Sequence, residues 1–345
     1  MSYELVSVAA LTERVEAIFV TGGFSADHAA ALGRAIVAGE RDGCKSHGIY
    51  RIAGCLRTLE AGKVVPDADP EVAEPDGVII RVDAKGGFSN LAFARGLPVL
   101  AEQVRKSGLA ALVINDCVHF AALWPEIEDI TAEGLAGMAM CPSYATVAPV
   151  GGTEPLLGTN PFAFGWPREG KSPYVFDFAT SVVARGEIEL YRRAGNPLPE
   201  GWALDADGQP TTSPEAALDG AMLPFGGYKG SAISTMIELL AGALIGDFTS
   251  DKALEWLGTT TIAPRHGELI LAFDPERFAG GRADPRATAE AFIGAIEGQG
   301  ARLPGQRRFA ARAEALRDGI PLTKAELDEL DRLEKEGAAQ AATPR

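Results

Sequence analysis

Strand-forming runs in this chain follow one another as often as they alternate with helices. That order argues against a purely parallel sheet wound from alternating strands and helices. Gly77 to Val82 reads as a strand, Asn90–Lys106 as a helix, Ala110–Asn115 as a short apolar strand and Pro125–Glu133 as a helix. Strands near Leu135–Met140, Pro161–Phe164 and Tyr174–Phe178 then come in succession, separated by turn-rich stretches such as Val150-Gly151-Gly152. No G-x-G-x-x-G occurs anywhere, so the usual dinucleotide fingerprint is missing as well.

Around these strands the pattern is helical. Residues 9–21 and 26–42 predict helices, the second opened by Ser25 with Leu32 and Ile36 on one face. Further on, a helix is expected over Ser231–Leu244, a strand over Glu268–Phe273 and a helix over Pro285–Glu297. Gly195 to Pro214, rich in Pro, Gly and Asp, reads as an ordered excursion or linker. The last helix is the best signalled: Thr323 and Glu326 form a capping box, with Leu322 and Leu327 as its hydrophobic staple. Gly337 to Arg345 is expected to fray.

The 345 residues suffice for two or three packed units. A net charge of −15 argues against nucleic acid and anionic membranes as partners, while leaving room for a cationic pocket that takes small anions. The opening Met-Ser-Tyr-Glu has no secretory pattern, and Cys44, Cys55, Cys117 and Cys141 show no metal spacing. Scattered thiols suit a reducing cytoplasm. The most apolar run, Ile233 to Ile245, is broken by Glu238 and falls short of the ~20 residues that span a bilayer, so a buried core helix is expected.

Several segments carry chemistry. Arg41-Asp42-Gly43-Cys44-Lys45-Ser46-His47-Gly48-Ile49-Tyr50-Arg51 puts a hydroxyl, an imidazole and a guanidinium within six residues. If a helix restarts at Ser46, His47 and Arg51 share a face at i and i+4, pairing a proton carrier with a carboxylate clamp. The alternative is a Ser46 cap with both side chains solvated. Phe225-Gly226-Gly227-Tyr228-Lys229-Gly230 suits anion binding, a plain tight turn, or a pyridoxal Schiff base on Lys229. His119 reads as a core histidine at a strand-to-helix turn. Gly158-Thr159-Asn160-Pro161 is a turn that could aim the Thr159 hydroxyl at a ligand. Leu303-Pro304-Gly305-Gln306-Arg307-Arg308 offers two guanidiniums, for phosphate or for solvent.

Taken together, Asp42–Arg51, His119–Trp124, Val150–Phe164, Val175–Gly186, Gly201–Gly208, Leu223–Gly230 and Leu303–Arg308 resemble, in the same order, the malate/L-lactate dehydrogenase-type oxidoreductases that lack the Rossmann fold. Arg41-Asp42-Gly43, Gly86-Gly87-Phe88 and His119–Trp124 look most like the Δ1-piperideine-2-carboxylate/Δ1-pyrroline-2-carboxylate reductases, which make L-pipecolate and L-proline using NADPH in preference to NADH. The resemblance implies a non-Rossmann mixed α/β fold with a largely antiparallel sheet, helical N- and C-terminal segments and a homodimer. The division expected is a helical domain of 1–75 with 310–345 and an α/β region of 76–309, a further split near 185–230 being left open.

It also implies roles for particular residues. His47 would be the proton donor, with Ser46 as its partner and Glu187 completing the relay where those reductases usually place an aspartate. Arg51 would clamp the substrate carboxylate, with Thr159 and the Arg185-Gly186 turn lining the pocket. The cofactor would lie along His119, Phe120, Ala121, Ala122 and Leu123, Asp177, Phe178 and Ala179, Tyr228 and Lys229, and Leu303 to Arg308 (Leu303, Pro304, Gly305, Gln306, Arg307, Arg308). Tyr228 stands where many relatives have histidine. No metal is expected. The rival activity is a dehydrogenase acting on malate, lactate or ureidoglycolate, which would use the same histidine on a carbonyl oxygen.

Overall fold

The computed structural model describes residues 3–120 and 122–336, so Ala121 and the segment expected to fray, 337–345, lie outside them. Seven strands form the central sheet, in the order Glu71–Val72, Ile79–Asp83, Leu109–Val118, Arg265–Phe273, Ala136–Met140, Phe162–Trp166, Tyr174–Phe178. Every neighbouring pair is antiparallel except Ile79–Asp83 with Leu109–Val118. That parallel pair is joined by the Ser89–Ser107 helix, the long crossover such a pair needs. Strands that succeed one another without helices between them make the pairs of Phe162–Trp166 with Ala136–Met140 and with Tyr174–Phe178, whereas Arg265–Phe273 enters the middle of the sheet from far along the chain.

The sheet is packed by that helix and by the Trp124–Ala132 helix. Leu112, Ile114 and Ile270 meet Leu100, Val104, Ile127 and Ile130 with no residual exposure. Each such side chain contributes roughly 1.5–3 kcal/mol by leaving water.

A second core joins the two ends of the chain. Helices Val8–Thr21 and Ala26–Arg41, capped by the Ser7 and Ser25 side chains, pack with Ala315, Ile320, Leu322, Leu330 and Leu333. Tyr3–Val6 pairs antiparallel with Ile320–Thr323, a ladder the sequence did not announce. The capping box forms as expected: Thr323 N donates to Glu326 Oε2 (2.7 Å) and Glu326 N donates to Thr323 Oγ1 (3.2 Å).

One expectation needs correction. The apolar run begins its helix at Tyr228 and passes at Leu239 into a π-helical turn, and it is only half buried. Ile237 and Ala241 face the sheet, whereas Leu239 and Leu244 are 59% and 69% exposed. Apolarity on all sides does not guarantee burial on all sides. Of the two readings of Gly195–Pro214, the ordered excursion holds, for Ala203–Leu204 and Pro210–Thr211 form a small three-stranded sheet with Ala221–Met222.

Candidate active site

The two cores meet along a cleft of about 870 Å³. One wall is the strap between the Ala26–Arg41 helix and the Ile52–Glu60 helix. The strap is not the continuous helix expected from Ser46. It makes two 3₁₀ turns, Lys45–His47 and Ile49–Arg51, because the chain breaks direction at Gly48. Buried Glu40 holds it down: its Oε1 accepts Ile49 N (2.9 Å) and its Oε2 pairs with Lys45 Nζ (2.9 Å). A Cβ at Gly48 would collide with the Glu40 carboxylate, and one at Gly39 with the His47 carbonyl, so both glycines are needed for this close approach.

On this strap Ser46 Oγ lies 3.1 Å from His47 Nδ1, which leaves the other ring nitrogen for the cleft. Arg51 Nε donates to the Ser46 carbonyl (2.7 Å), fixing the guanidinium beside the imidazole. Burial, and then the Arg51 charge, push the His47 pKa down to about 3. The ring is therefore neutral near pH 7. Among the described residues, no carboxylate is paired with it. Glu187, expected there, is exposed and outside the cleft lining. The reason is local: Arg185 opens the Arg185–Ala194 helix instead of closing a turn, and this helix buries Ile188 while its neighbour Glu187 faces water.

The opposite wall carries Thr159, which lines the cleft between two buried anchors. Glu238 Oε1 accepts from Asn160 Nδ2 (2.7 Å) and its Oε2 from Ser250 N (2.9 Å), while Thr180 N donates to the Thr159 carbonyl (2.8 Å). Glu238 interrupts the apolar run because it pins this turn. Arg185 and Gly186 also line the cleft, and Arg185 Nη2 donates to Thr260 Oγ1 (3.2 Å) and the Leu218 carbonyl (3.3 Å).

The floor is built around Trp124. Its indole Nε1 donates to Asp42 Oδ2 (3.2 Å), and its ring meets the His47 ring edge-on at 5.9 Å. Burial works against the Asp42 charge, but hydrogen bonds from Arg312 and Arg41 outweigh it and hold the carboxyl below the usual range. Asp177 Oδ2 accepts Leu123 N (2.8 Å) and Trp124 N (3.0 Å), so it caps the helix that carries Trp124. Burial still raises its pKa to about 6. Sequence reasoning missed Asp42 and Trp124 as site supports, although Asp42 within the Arg41–Arg51 motif was a usable signal.

Of the expected cofactor residues, His119, Phe120, Ala122, Asp177, Phe178, Ala179 and Arg308 line the cleft. Leu123 lies just behind it, fully buried. Leu303 to Gln306 lie outside the lining, Gly305 being the left-handed turn (φ 81°) before the Gln306–Asp318 helix. Arg308 is engaged rather than free, donating to Glu128 Oε1 (2.7 Å) and stacking 5.0 Å above the Trp124 ring. Arg307 is exposed. Tyr228 and Lys229 sit on an exposed first helical turn away from the cleft, which removes the enclosed pocket a pyridoxal Schiff base requires.

Residues 6–331 match the malate/L-lactate dehydrogenase family. The chain belongs to that family. A Δ1-pyrroline-2-carboxylate reductase of Agrobacterium fabrum is 68% identical over 333 residues, 96% of each chain. A Δ1-pyrroline-2-carboxylate/Δ1-piperideine-2-carboxylate reductase of Pseudomonas aeruginosa is 54% identical over 303 residues, 88% of this chain and 91% of that protein. Among solved structures, the Δ1-piperideine-2-carboxylate reductase of Pseudomonas syringae pv. tomato superposes with a TM-score of 0.91 at 40% identity, covering 96% of this chain and 99% of that one. This family member is an oxidoreductase, and membership implies a nicotinamide cofactor. Its cleft fits one: the volume admits a nicotinamide beside a small acid, and Arg51, Arg185 and Arg308 offset anionic charge on its walls.

Proposed function

We propose that this protein reduces Δ1-pyrroline-2-carboxylate to L-proline and Δ1-piperideine-2-carboxylate to L-pipecolate, with NADPH preferred to NADH. The observation that carries the reading is the strap, which puts a proton carrier and a carboxylate clamp side by side on one wall. Both substrates have a carboxylate on the carbon that must be reduced. When bound, the cofactor supplies the hydride to C2, and the ring nitrogen then needs one proton.

Arg51 takes the substrate carboxylate and turns C2 toward the cleft floor, where Ala122 and Ala179 leave room for a flat ring. The same pairing changes His47. An anion on Arg51 offsets the positive charge that opposes protonation, so the imidazole gains proton affinity when substrate arrives. His47 then protonates the nitrogen, while Ser46 steadies its Nδ1. Thr159 and Arg185 shape the far side of the ring pocket.

Arg307 is the group we assign to the extra phosphate of NADPH. Arg307→Ala is expected to raise KM for NADPH at least several-fold more than KM for NADH. Arg308→Ala, by leaving Glu128 with Arg312 alone and unseating Trp124, should impair both cofactors alike. Steady-state KM values for the two cofactors check this, and equal effects of Arg307→Ala would remove it from phosphate recognition. We further infer a homodimer in the cytoplasm. Exposed Leu239 and Leu244 on one helical stretch support the first, and four free cysteines the second.

The test is a side-by-side assay of both imines, pyruvate and oxaloacetate with NADPH and NADH. Imine reduction should exceed 2-oxo acid reduction by at least tenfold in kcat/KM, about 1.4 kcal/mol of transition-state preference. Faster turnover of the oxo acids would make the protein a 2-hydroxy-acid dehydrogenase.

A further inference from the structure

Among the described residues, five buried polar atoms without a hydrogen-bond partner converge just behind the cleft: His119 Nε2 and both carboxyl oxygens of Glu126 and of Glu268. Glu126 comes from the Trp124–Ala132 helix, and Glu268 from the Arg265–Phe273 strand just past its register shift at Gly267. His119 and the two carboxyls place an atom each within 4.8 Å of one another, and His119 Nε2 is 3.8 Å from Glu268 Oε2. His119 itself lines the cleft. A single histidine therefore connects the substrate chamber to a closed carboxyl pair.

Two ionised carboxylates cannot share such a site without donors, since each repels the other and both are buried. The groups felt around them are Asp129 on the same helix as Glu126, Asp177 from the edge strand Tyr174–Phe178, and the Cys117 and Cys141 thiols. His266 packs 5.6 Å from the His119 ring, and burial holds both imidazoles neutral. Burial pushes both the Glu126 and the Glu268 carboxyls up from the ordinary carboxylate range, Glu126 the further. One proton held between the two carboxyls removes the repulsion and supplies the missing donor.

We propose that Glu126 and Glu268 hold a shared proton as the reserve from which His119 returns protons to the cleft during imine reduction. The inference rests on the reading of the site as an imine reductase, a reaction that consumes one proton per turnover at the ring nitrogen. His47 gives that proton up. The one shared proton moves from Glu126 to Glu268 and from Glu268 to a ring nitrogen of His119, the 3.8 Å gap being closed by carboxyl rotation. His119 then releases the proton on its other ring nitrogen to the cleft and is neutral again. The pair is left as two carboxylates, an unfavourable state that refills from solvent through the open cleft once product leaves.

The experiment compares wild type with Glu126→Gln/Glu268→Gln, which keeps the side-chain shapes and removes the transferable proton. Infrared spectra of the cofactor-free wild type at neutral pH should show a protonated carboxylic acid band that the double variant lacks. In turnover the double variant should lose about tenfold in kcat with KM values near wild type, as for an impaired proton donor. Its solvent deuterium isotope effect should rise, and the alkaline limb of its kcat profile should move to lower pH. If the double variant fails to fold by circular dichroism, Glu126→Gln alone is read in the same way. An absent infrared band, or kcat profiles that superimpose, overturns the reserve. So does a stoichiometric metal ion in the purified protein that the substitutions remove, because a cation would then occupy the site. A wild-type protein inactive on both imines refutes the functional reading instead, while the infrared result still decides whether the proton is there.

Discussion

Replacing His47 with alanine is expected to leave a folded protein that binds NADPH and turns over roughly 10²–10⁴-fold more slowly, the range for loss of a general acid. Folding should survive because the strap is held by Glu40, through Ile49 N and Lys45, and not by the imidazole. Cofactor binding, followed by fluorescence titration, should stay within a few-fold of wild type. Wild-type turnover in His47→Ala would end the assignment.

The histidine also predicts a separation of two pH profiles. A general acid works only below its pKa. In the free protein the His47 pKa is pushed down to about 3 by burial and Arg51, so kcat/KM should already be falling as pH rises through the acid range. In the substrate complex the carboxylate on Arg51 raises that pKa, so kcat should hold to higher pH. The alkaline limb of kcat is expected above that of kcat/KM. Coincident limbs would mean that the substrate does not charge the imidazole.

The way this site is assembled explains what could be read from the chain beforehand. Local order, strands following strands, was enough to argue against a purely parallel sheet, while its largely antiparallel character came from the family resemblance. The capping box at Thr323 was legible from local order too, since both partners lie within four residues. The Tyr3–Val6 pairing with Ile320–Thr323 was not, because nothing local marks a ladder between residues more than three hundred positions apart. The same division holds in the cleft. Ser46, His47 and Arg51 stand out as a short motif, yet their supports come from elsewhere: Glu40 from the preceding helix, Trp124 from across the sheet, Arg312 from near the end of the chain. Glu187 lies off the cleft lining for a physical reason. Motif position places it near the site, but the helix opened at Arg185 turns Ile188 inward and leaves Glu187 in water. The burial of Glu126 and Glu268 against each other was invisible, since one lies on a helix and the other on a strand 142 positions later.

Arg51→Ala should cost about 10–100-fold in kcat/KM for either imine, consistent with loss of ~1.5–3 kcal/mol from hydrogen bonds to a charged group. Arg51→Lys should recover only part of this, because an ammonium offers a point charge where the guanidinium offers a planar fork. The loss should depend on the substrate carboxylate. Against a cyclic imine of the same ring size without that group, wild type and Arg51→Ala should differ little. The substitution should also move His47, since it removes the positive charge that, after burial, depresses the imidazole pKa. The alkaline limb of kcat/KM in Arg51→Ala is therefore expected at higher pH than in wild type, even as the absolute rate falls. A merely structural role, through the bond from Arg51 Nε to the Ser46 carbonyl, predicts otherwise. Loosening the strap would slow both imines equally and would leave the limb in place. Equal losses on the two substrates, with no shift in the profile, would show that Arg51 braces the strap and that another cation, such as Arg185 on the facing wall, takes the carboxylate.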